Sequence, residues 1–280
     1  MSIEPIASLA EVAAVFPRAL PVLGSLDGAW RPGEPDADGA ALALASLEAA
    51  TALTVSGEAA GIVTGPIAKA RLADAGFHHP GQTEFVAAAC GVAAQDAVMM
   101  LAGPQLRTIP LTVHIPLAKV PGSISVDLIR RRARIAAEAL RRDFGIENPR
   151  IAVAALNPHA GEAGRMGDEE ARTIVPAIEA LRADGIDATG PHPADALFAP
   201  HARGQYDVAL CMYHDQALIP LKALDFDSGV NVTLGLPVVR TSPDHGTAFG
   251  IAGTGRASAG ATIAAIRMAG ECALRRAAHG

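Results

Sequence analysis

Three histidines stand at the ends of apolar segments whose residue types are typical of buried strands. His114 closes the segment PLTVH, His159 follows the apolar part of AALNPHAG, and His214 closes ALCMYH. In open α/β sheets, ligands collect beyond the carboxyl ends of the strands. A neutral imidazole is a good ligand for zinc and related metals, and a catalytic metal site keeps one position open. The pattern therefore predicts a divalent metal site with these histidines as ligands. The alternative interpretation is three unrelated, hydrogen-bonded histidines.

The segments that carry these histidines alternate with helical patterns. Strand-like runs are predicted at residues 61–64, 97–102, 109–113, 151–156 and 208–213. One helix is predicted over residues 40–50, and a second from a cap at Asp127 to a stop at Gly145. A third is predicted from Asp168, with Pro176 kinking it or opening its second half. Helices between strands imply a mostly parallel sheet. We therefore predict an α/β fold with three layers, helix, sheet and helix.

Composition argues against several functional classes. The chain has 280 residues, of which 50% are hydrophobic and 19% charged, and its net charge is −6. A chain of this length and hydrophobic content can bury a large core. Its negative net charge argues against a general nucleic-acid binder, which needs a basic face. Residues 1–24 lack the basic start of a secretory signal, and charges interrupt every apolar run of about 18 residues. We expect a cytoplasmic protein with no membrane span and no nucleic-acid partner.

Three local patterns have less specific interpretations. The segment 157–167, NPHAGEAGRMG, lies between a strand and a helix, so it is either an anion-binding loop or a tight connector. The arginines at 130–134 lie on an amphipathic helix and are interpreted as a solvated face. The cysteines at 90, 211 and 272 form no CxxC pair and are interpreted as buried thiols.

Six segments, standing in order, make the chain similar to a known family. They are VTGPIAKARLADAGFHHPGQTEF, VHIPL, LNPHAGEAGRMGDEE, PADALF, MYHDQALIPLK and GVNVTLGLPVVRTSPDHGTAF. Over about residues 61–269 this wording resembles the 4-hydroxythreonine-4-phosphate dehydrogenases of pyridoxal phosphate biosynthesis. The resemblance implies two domains with mostly parallel sheets, like those of isocitrate and isopropylmalate dehydrogenase. Their expected bounds are 1–80 with 230–280, and 81–229, with the active-site cleft between them.

The resemblance also implies roles for individual residues. The family's metal ligands match His114, His159 and His214, and its members are homodimers whose active site is completed across the subunit interface. One of these histidines would then come from the partner subunit. The family's substrate-binding positions fall on Thr83, Lys222, Asn231 and Arg240. Gln82, beside Thr83, is a further substrate-binding candidate at which this chain differs from the family. Lys222 is also a catalytic candidate, as is Asp215, which is interpreted as a base, as an orienter of His214, or as an ordinary structural carboxylate.

The cofactor is inferred from a different segment. No GxGxxG motif follows an early strand, so a dinucleotide must bind without the usual Rossmann fingerprint. The run at 244–260 resembles the adenosine-side loop of the β-decarboxylating dehydrogenases. The resemblance therefore implies NAD, with NADP as the alternative, bound by His245, Gly246, Gly253 and Gly255.

The reaction implied is oxidation of 4-phosphohydroxy-L-threonine, followed by decarboxylation to 3-amino-2-oxopropyl phosphate. It would be NAD-dependent and assisted by a divalent metal, zinc being expected and magnesium, manganese or cobalt being alternatives. Another candidate substrate is phosphorylated threonate or erythronate. Two other classes remain open, namely a metal-dependent hydrolase or lyase, and a catalytically silent relative that binds a phosphorylated ligand.

Two departures from the family pattern bear on these expectations. Family members open with a strand and a Gly-Glu-Pro-Ala-Gly-Ile-Gly loop that has no counterpart here, so we expect an N-terminally shortened chain. Gln82 stands where the family typically has histidine, in GQTEF instead of GHTEF. Because glutamine carries no charge and does not titrate, an altered substrate contact is expected.

Overall fold

The computed structural model describes residues 2–24 and 31–279. In these ranges the strands are β1 Ile3–Ile6, β2 Leu20–Leu23, β3 Ile62–Val63, β4 Val98–Ala102, β5 Arg107–Thr112, β6 Arg150–Ala154, β7 Asp187–His192, β8 Val208–Tyr213, β9 Val230–Leu234 and β10 Arg240–Pro243. The helices are α1 Val12–Val15, α2 Ala37–Val55, α3 Lys69–Asp74, α4 Gln82–Ala89, α5 Val120–Ser123, α6 Val126–Phe144, α7 Val175–Ala183, α8 Ala194–Leu197, α9 Pro200–Arg203, α10 His214–Asp225 and α11 Gly260–His279.

The described residues fall into two compact units. The smaller comprises Met1–Ala59, Ile67–His78 and Thr247–Ala257, and the larger comprises Ala60–Pro66, His79–Gly246 and Ser258–Gly280. The domain division expected from the sequence stays a prediction.

The smaller unit contains a pair of strands that the sequence patterns did not predict. Strands β1 and β2 are parallel, with Ile3 opposite Leu20. Helix α2 begins at Ala37, earlier than expected, because the Asp36 carboxylate accepts a hydrogen bond of 2.8 Å from the Gly39 N–H. By length and composition alone this helix is able to cross a membrane. One such helix does not distinguish a membrane span from a helix of a soluble protein.

The larger unit is built on an eight-stranded sheet in the order β3-β10-β9-β4-β5-β8-β6-β7. The pairs β5–β8, β8–β6, β6–β7 and β3–β10 are parallel. The pairs β10–β9, β9–β4 and β4–β5 are antiparallel. The predicted α/β class with a mostly parallel sheet is confirmed, and the structure adds a reversal of direction in the middle of the sheet.

Alternate residues of the central strands enter two cores on opposite faces of this sheet, as the period of a strand requires. Met100 and Leu210 lie in one core, together with residues of α6, α7 and α11. Leu101 and Cys211 lie in the other, with Ala217, Leu218 and Leu221 of α10. Both faces of the sheet are therefore covered by helices, and the predicted three-layer arrangement is confirmed.

Two predicted helices are present with modified ends. Helix α6 is capped by Ser125, whose hydroxyl accepts from the Leu128 N–H at 3.1 Å, and not by Asp127. It stops where predicted, at Gly145, whose φ of 68° suits a residue without a Cβ. The third predicted helix starts with a π-helical turn, Glu170–Ile174, and Pro176 then falls in the first turn of α7.

Candidate active site

The strand directions bring the sequence-predicted groups to one edge of the sheet in the larger unit. Strands β5, β6, β8 and β9 run one way, and β3, β4 and β10 run the other way. The carboxyl ends of β5, β6 and β8 therefore share an edge with the amino end of β10. His114, His159 and His214 follow the first three of these strands, and Arg240 begins the reversed one.

His114 and His214 form a close pair at this edge. Their ring centroids are 5.8 Å apart, with ring planes tilted by 41°. His214 Nδ1 lies 2.7 Å from an Asp215 carboxylate oxygen, which leaves Nε2 as the ring nitrogen available to a ligand. His114 has a φ of 53°, a strained conformation for a residue with a Cβ. Both rings line a cavity of about 280 Å³ together with Thr112, Tyr213, Asp215 and the apolar side chains Ile115, Leu117 and Val120.

His159 does not join this pair within one chain. Among the described residues, no group of three or more His, Cys, Asp or Glu side chains is close enough to hold a metal ion. The two imidazoles and the carboxylate behind one of them are chemically suited to a divalent metal, as ligands and as an orienting group. Within the described residues, a single chain thus brings together two of the three histidines predicted as metal ligands.

His159 lies on a left-handed turn. From His159 to Ala163 every φ is positive, with values of 50°, 53°, 77°, 43° and 55°. Only Gly161 adopts this region without strain, and each of the other residues costs about 1–2 kcal/mol. Surrounding contacts must therefore stabilise the turn.

Two glutamates supply these contacts, namely Glu170, the first residue of the π-helical turn that follows, and Glu169, which precedes it. One Glu170 carboxylate oxygen accepts from the backbone N–H groups of Leu156 and Asn157 at 2.9 and 2.8 Å. Its other oxygen accepts from the Asn157 side-chain amide at 3.0 Å. Glu169 accepts from the same amide at 2.7 Å. Gly161 packs directly on Glu170, because a Cβ at Gly161 would lie 2.7 Å from a Glu170 carboxylate oxygen.

Arg240 is a buried cation surrounded by neutral groups. Its guanidinium donates to the Thr64 hydroxyl at 2.8 Å and to the Thr233 hydroxyl at 3.1 Å. Longer hydrogen bonds of 3.4 and 3.3 Å reach the Thr83 hydroxyl and the Gln82 side-chain oxygen. The Gln82 amide in turn donates to the Gly65 carbonyl at 3.3 Å.

The charge of Arg240 is not neutralised by the described part of the chain. Its residue is 3% exposed, its Nε has no hydrogen-bond partner, and no described carboxylate lies within ion-pair distance. Burial lowers the pKa of the guanidinium to about 10, and the charge of Glu84 opposes this shift. The group remains protonated at neutral pH, at a desolvation cost of a few kcal/mol. It is therefore poised to accept an anion.

The remaining predicted substrate-binding residues share one face of the sheet with Arg240. The ladder pairs Asn231 with Ser242 and with Leu101, and Leu101 packs in the core that α10 covers. The Asn231 side-chain oxygen is buried without a hydrogen-bond partner. On α10, the Lys222 ammonium faces an Asp244 carboxylate oxygen at 3.0 Å and donates to its carbonyl at 3.4 Å.

The expected cofactor-binding residues lie in exposed backbone. His245 Nδ1 is 2.9 Å from the Gly246 carbonyl oxygen, and both residues belong to the larger unit. Gly253 and Gly255 belong to the smaller unit and have φ values of 74° and 71°.

Three residues of these clusters were missed by the sequence patterns, namely Thr64, Thr233 and Glu170. Threonines in apolar strands give no charge signal, although both stand inside the motifs VTGPI and NVTLG. Glu170 falls within the helix that the sequence predicts from Asp168, so no separate role is expected for it. The glycines at 161, 164 and 167, spaced by three residues, are the signal of the left-handed turn that Glu170 stabilises.

Comparison with known proteins identifies the same family as the six sequence motifs. The family described as pyridoxal phosphate biosynthetic protein PdxA matches residues 1–269, a longer stretch than the motifs alone indicated. The 4-hydroxythreonine-4-phosphate dehydrogenase of Erythrobacter litoralis is 66% identical over 275 residues, which cover 98% of this chain and 82% of that protein.

Solved structures give the same result at the level of the fold. The crystal structure of 4-hydroxythreonine-4-phosphate dehydrogenase from Klebsiella pneumoniae has a TM-score of 0.85 at 40% identity, covering 97% of this chain and 82% of that one. A terephthalate 1,2-cis-dihydrodiol dehydrogenase from Burkholderia xenovorans has a TM-score of 0.65 at 30% identity, covering 96% and 82%.

These similarities confirm the enzyme class expected from the sequence, an oxidoreductase that acts on a CH–OH group. The close agreement extends over nearly the whole chain, and it includes the segments that carry His114, His214 and Arg240. The chain therefore belongs to the pyridoxal phosphate biosynthetic protein PdxA family.

Proposed function

We propose that this protein oxidises 4-phosphohydroxy-L-threonine with NAD as hydride acceptor and a divalent metal as Lewis acid, and that decarboxylation to 3-amino-2-oxopropyl phosphate follows. The name shared by its relatives describes a dehydrogenase of a phosphorylated hydroxy amino acid. The proposal extends that name to this chain and assigns roles to its residues.

The observation that carries the proposal is the buried, unneutralised charge of Arg240. A guanidinium that is 3% exposed and bonded mainly to hydroxyls has unmet capacity for a phosphate or carboxylate. Thr83, Gln82 and Asn231 supply neutral polar groups beside it, and Lys222 supplies a second cation on the same face of the sheet. An anionic substrate of several polar groups fits this set better than an apolar one.

The metal would be held by His114 and His214 of one chain and by His159 of a second copy. Asp215 accepts from His214 Nδ1 and so orients the ring, which favours the orienting role over that of a base. When bound, the divalent metal supplies a Lewis acid that favours loss of hydride from the hydroxyl-bearing carbon and the following loss of carbon dioxide. Zinc suits imidazole ligands, whereas magnesium prefers oxygen ligands.

The protons balance without an outside acid. Oxidation releases the hydroxyl proton to solvent, loss of carbon dioxide leaves a carbon that takes up one proton, and the amine that donates this proton regains one from solvent. The Lys222 ammonium, held beside Asp244 at 3.0 Å, is the group we assign to supply that proton. The hydride goes to NAD, and His245, Gly246, Gly253 and Gly255 stay its predicted contact residues.

A second candidate substrate is phosphorylated threonate or erythronate. This alternative is kept because Gln82, whose uncharged amide contacts Gly65 and Arg240, stands where the family typically has histidine, so that an altered substrate contact is expected. The similarity to a terephthalate dihydrodiol dehydrogenase also indicates that dehydrogenases with this architecture act on different substrates.

The test is NADH formation by the purified chain with added divalent metal and either candidate substrate, measured by absorbance. We expect turnover with 4-phosphohydroxy-L-threonine, with carbon dioxide released in equal amount, and loss of turnover when a chelator is present. Turnover only with phosphorylated threonate or erythronate would support the second candidate. Substrate loss without NADH would instead indicate a hydrolase or lyase, and binding without any turnover a catalytically silent relative.

A further inference from the structure

The buried carboxylate of Glu170 has no role in the chemistry proposed above, yet it makes three hydrogen bonds at the base of the turn that carries His159. Its residue is 5% exposed, and none of its partners is a cation. A buried carboxylate without a cationic partner is costly unless its hydrogen bonds serve a structural need. Here the hydrogen bonds of Glu170 lie beside the strained turn at residues 159–163, which requires stabilising contacts.

We propose that Glu170 is a positioning residue that holds the left-handed turn and so fixes the direction in which His159 points. This inference rests on the proposed function for its consequence, since His159 matters to the reaction only as a metal ligand. The hydrogen bonds from Glu170 that hold the turn lie within one chain and do not depend on the proposed function.

The contacts explain how one side chain controls the turn. The Glu170 carboxylate binds the N–H groups of Leu156 and Asn157, which immediately precede Pro158 and His159. Gly161 then lies so close that any side chain there would meet the carboxylate, with φ at 77°. The backbone is therefore held on both sides of His159 by the same charged group.

The π-helical turn Glu170–Ile174 begins at the residue that makes these contacts. Glu169 and Glu170 are sequence neighbours, and both reach the Asn157 side-chain amide, at 2.7 and 3.0 Å. Asn157 thereby has its amide hydrogens engaged by two carboxylates. Insertions of this type occur often at functional sites because they redirect side chains.

The experiment compares Glu170→Gln with Glu179→Gln, a matched change at an exposed position of α7. Amide hydrogen exchange of residues 156–168 is measured in the metal-free protein. We expect exchange in Glu170→Gln to be at least about 10-fold faster in this segment and unchanged in strand β6, because the lost contacts are local. Glu179→Gln should exchange like the unmodified protein. Equal exchange in the two variants would overturn the proposal.

Measuring metal affinity distinguishes a role of Glu170 in positioning His159 from a general loss of stability in the variant. Co²⁺ is titrated into each protein and followed by its visible absorption. We expect Glu170→Gln to bind Co²⁺ about 10- to 100-fold more weakly, and to cause no further loss in a chain that already carries His159→Ala. A loss that adds fully to that of His159→Ala would contradict positioning through His159.

Two further outcomes are distinguishable. If His159→Ala leaves Co²⁺ affinity unchanged, the proposed role of His159 as a ligand fails, while the exchange data still decide the role of Glu170. If Glu170→Gln does not fold, Gly161→Ala replaces it, since a Cβ there would clash with the Glu170 carboxylate at 2.7 Å and with the Gly167 carbonyl oxygen at 2.9 Å and so disturb the same contact. It should show the same faster exchange and weaker Co²⁺ binding, and normal values for both would overturn the proposal.

Discussion

In the proposed site, the residue Arg240 is kept in an unfavourable state that substrate binding would relieve. Its partners Thr64 and Thr233 orient the guanidinium but do not neutralise it. A nearby carboxylate would have stabilised the free protein and competed with an anionic substrate. Neutral hydrogen-bond partners therefore suit the anion-binding role that we propose for Arg240.

We predict that Arg240→Met abolishes phosphate binding without destabilising the free protein. Removing an unneutralised buried charge should leave the free energy of unfolding within about 1 kcal/mol of its original value, or raise it. Thermal unfolding with and without inorganic phosphate measures both effects. Phosphate should raise the melting temperature of the unmodified chain but not that of the variant.

The matched control is Arg132→Met, because Arg132 is a half-buried arginine of α6 that donates to the Ala97 carbonyl at 3.1 Å. Phosphate should stabilise this variant as it does the original chain. A melting temperature of Arg240→Met that still rises with phosphate would place the anion site elsewhere.

Residue types and strand ends were sufficient to select His114 and His214 from the sequence, because each is a ligating group that closes an apolar segment, whereas Arg240 was selected only through the resemblance to the family. They were not sufficient for Thr64, Thr233 or Glu170, whose importance depends on what they contact. A contact between residues far apart along the chain leaves no local pattern. The same holds for the separation of His159 from the other two histidines in one chain.

At the scale of elements, runs of apolar residues predicted the buried strands of the sheet, but they did not predict the directions in which these strands run. Residues 98–102 and 107–112 both read as buried strands, and nothing in their composition reveals that β4 and β5 are antiparallel. Short strands with polar residues, such as β7 and β10, were missed for a related reason, because they lack a continuous apolar run. The antiparallel pairs matter, since they bring the first residue of β10 to the edge where the histidines lie.

Helices α6 and α11 are joined by a buried ion-pair cluster that gives the second prediction. Asp143, 3% exposed, accepts from Arg142 at 2.7 and 3.0 Å and from Arg276 at 2.7 and 2.9 Å. Burial raises the pKa of the Asp143 carboxyl, but the hydrogen bonds from Arg276 and Arg142 outweigh it, and the pKa lies below its ordinary value. The cluster is therefore charged at neutral pH.

We predict that Asp143→Asn lowers the free energy of unfolding by about 2–4 kcal/mol at pH 7, since it leaves buried arginine charge without a counter-ion. Because the folded pKa lies below the unfolded value of about 3.9, the contribution is complete above that pH and disappears as pH falls through the folded pKa. Urea unfolding at several pH values should show the two proteins converging below about pH 4.

The control for this prediction is Asp184→Asn, which removes a carboxylate paired with Arg130 and Arg134 at the surface. Its effect at pH 7 should be small, since solvent screens exposed pairs. A gap between Asp143→Asn and the original chain that stays constant down to pH 3 would show that the carboxyl charge is not the source of the stability.

At the scale of the whole molecule, the partial donor set of one chain predicts complementation between copies. His159→Ala and His214→Ala should each be inactive alone. In a mixed dimer, the intact pocket of one variant would receive the intact His159 of the other. Each purified mixed dimer has one complete site of two, so about one half of full activity should return.

The matched control mixes His114→Ala with His214→Ala. Both changes fall in the same pocket, so neither mixed site would be complete and no activity should return. Activity is measured after the two variants, carrying different affinity tags, are co-purified as mixed dimers. Absence of recovery in mixed dimers of the first pair would show that His159 does not serve the pocket of another copy.

With Arg240 as the anion site that we propose, the unneutralised guanidinium at the start of β10 would also link the lifetime of the protein to the supply of its ligand. A chain that gains its missing counter-ion only by binding is less often unfolded when that anion is abundant. Proteases remove chains from the unfolded fraction, and small changes in stability alter cellular abundance several-fold. Depletion of the anion would thus shorten the half-life of the protein, and its steady-state level would follow the availability of the molecule that it binds.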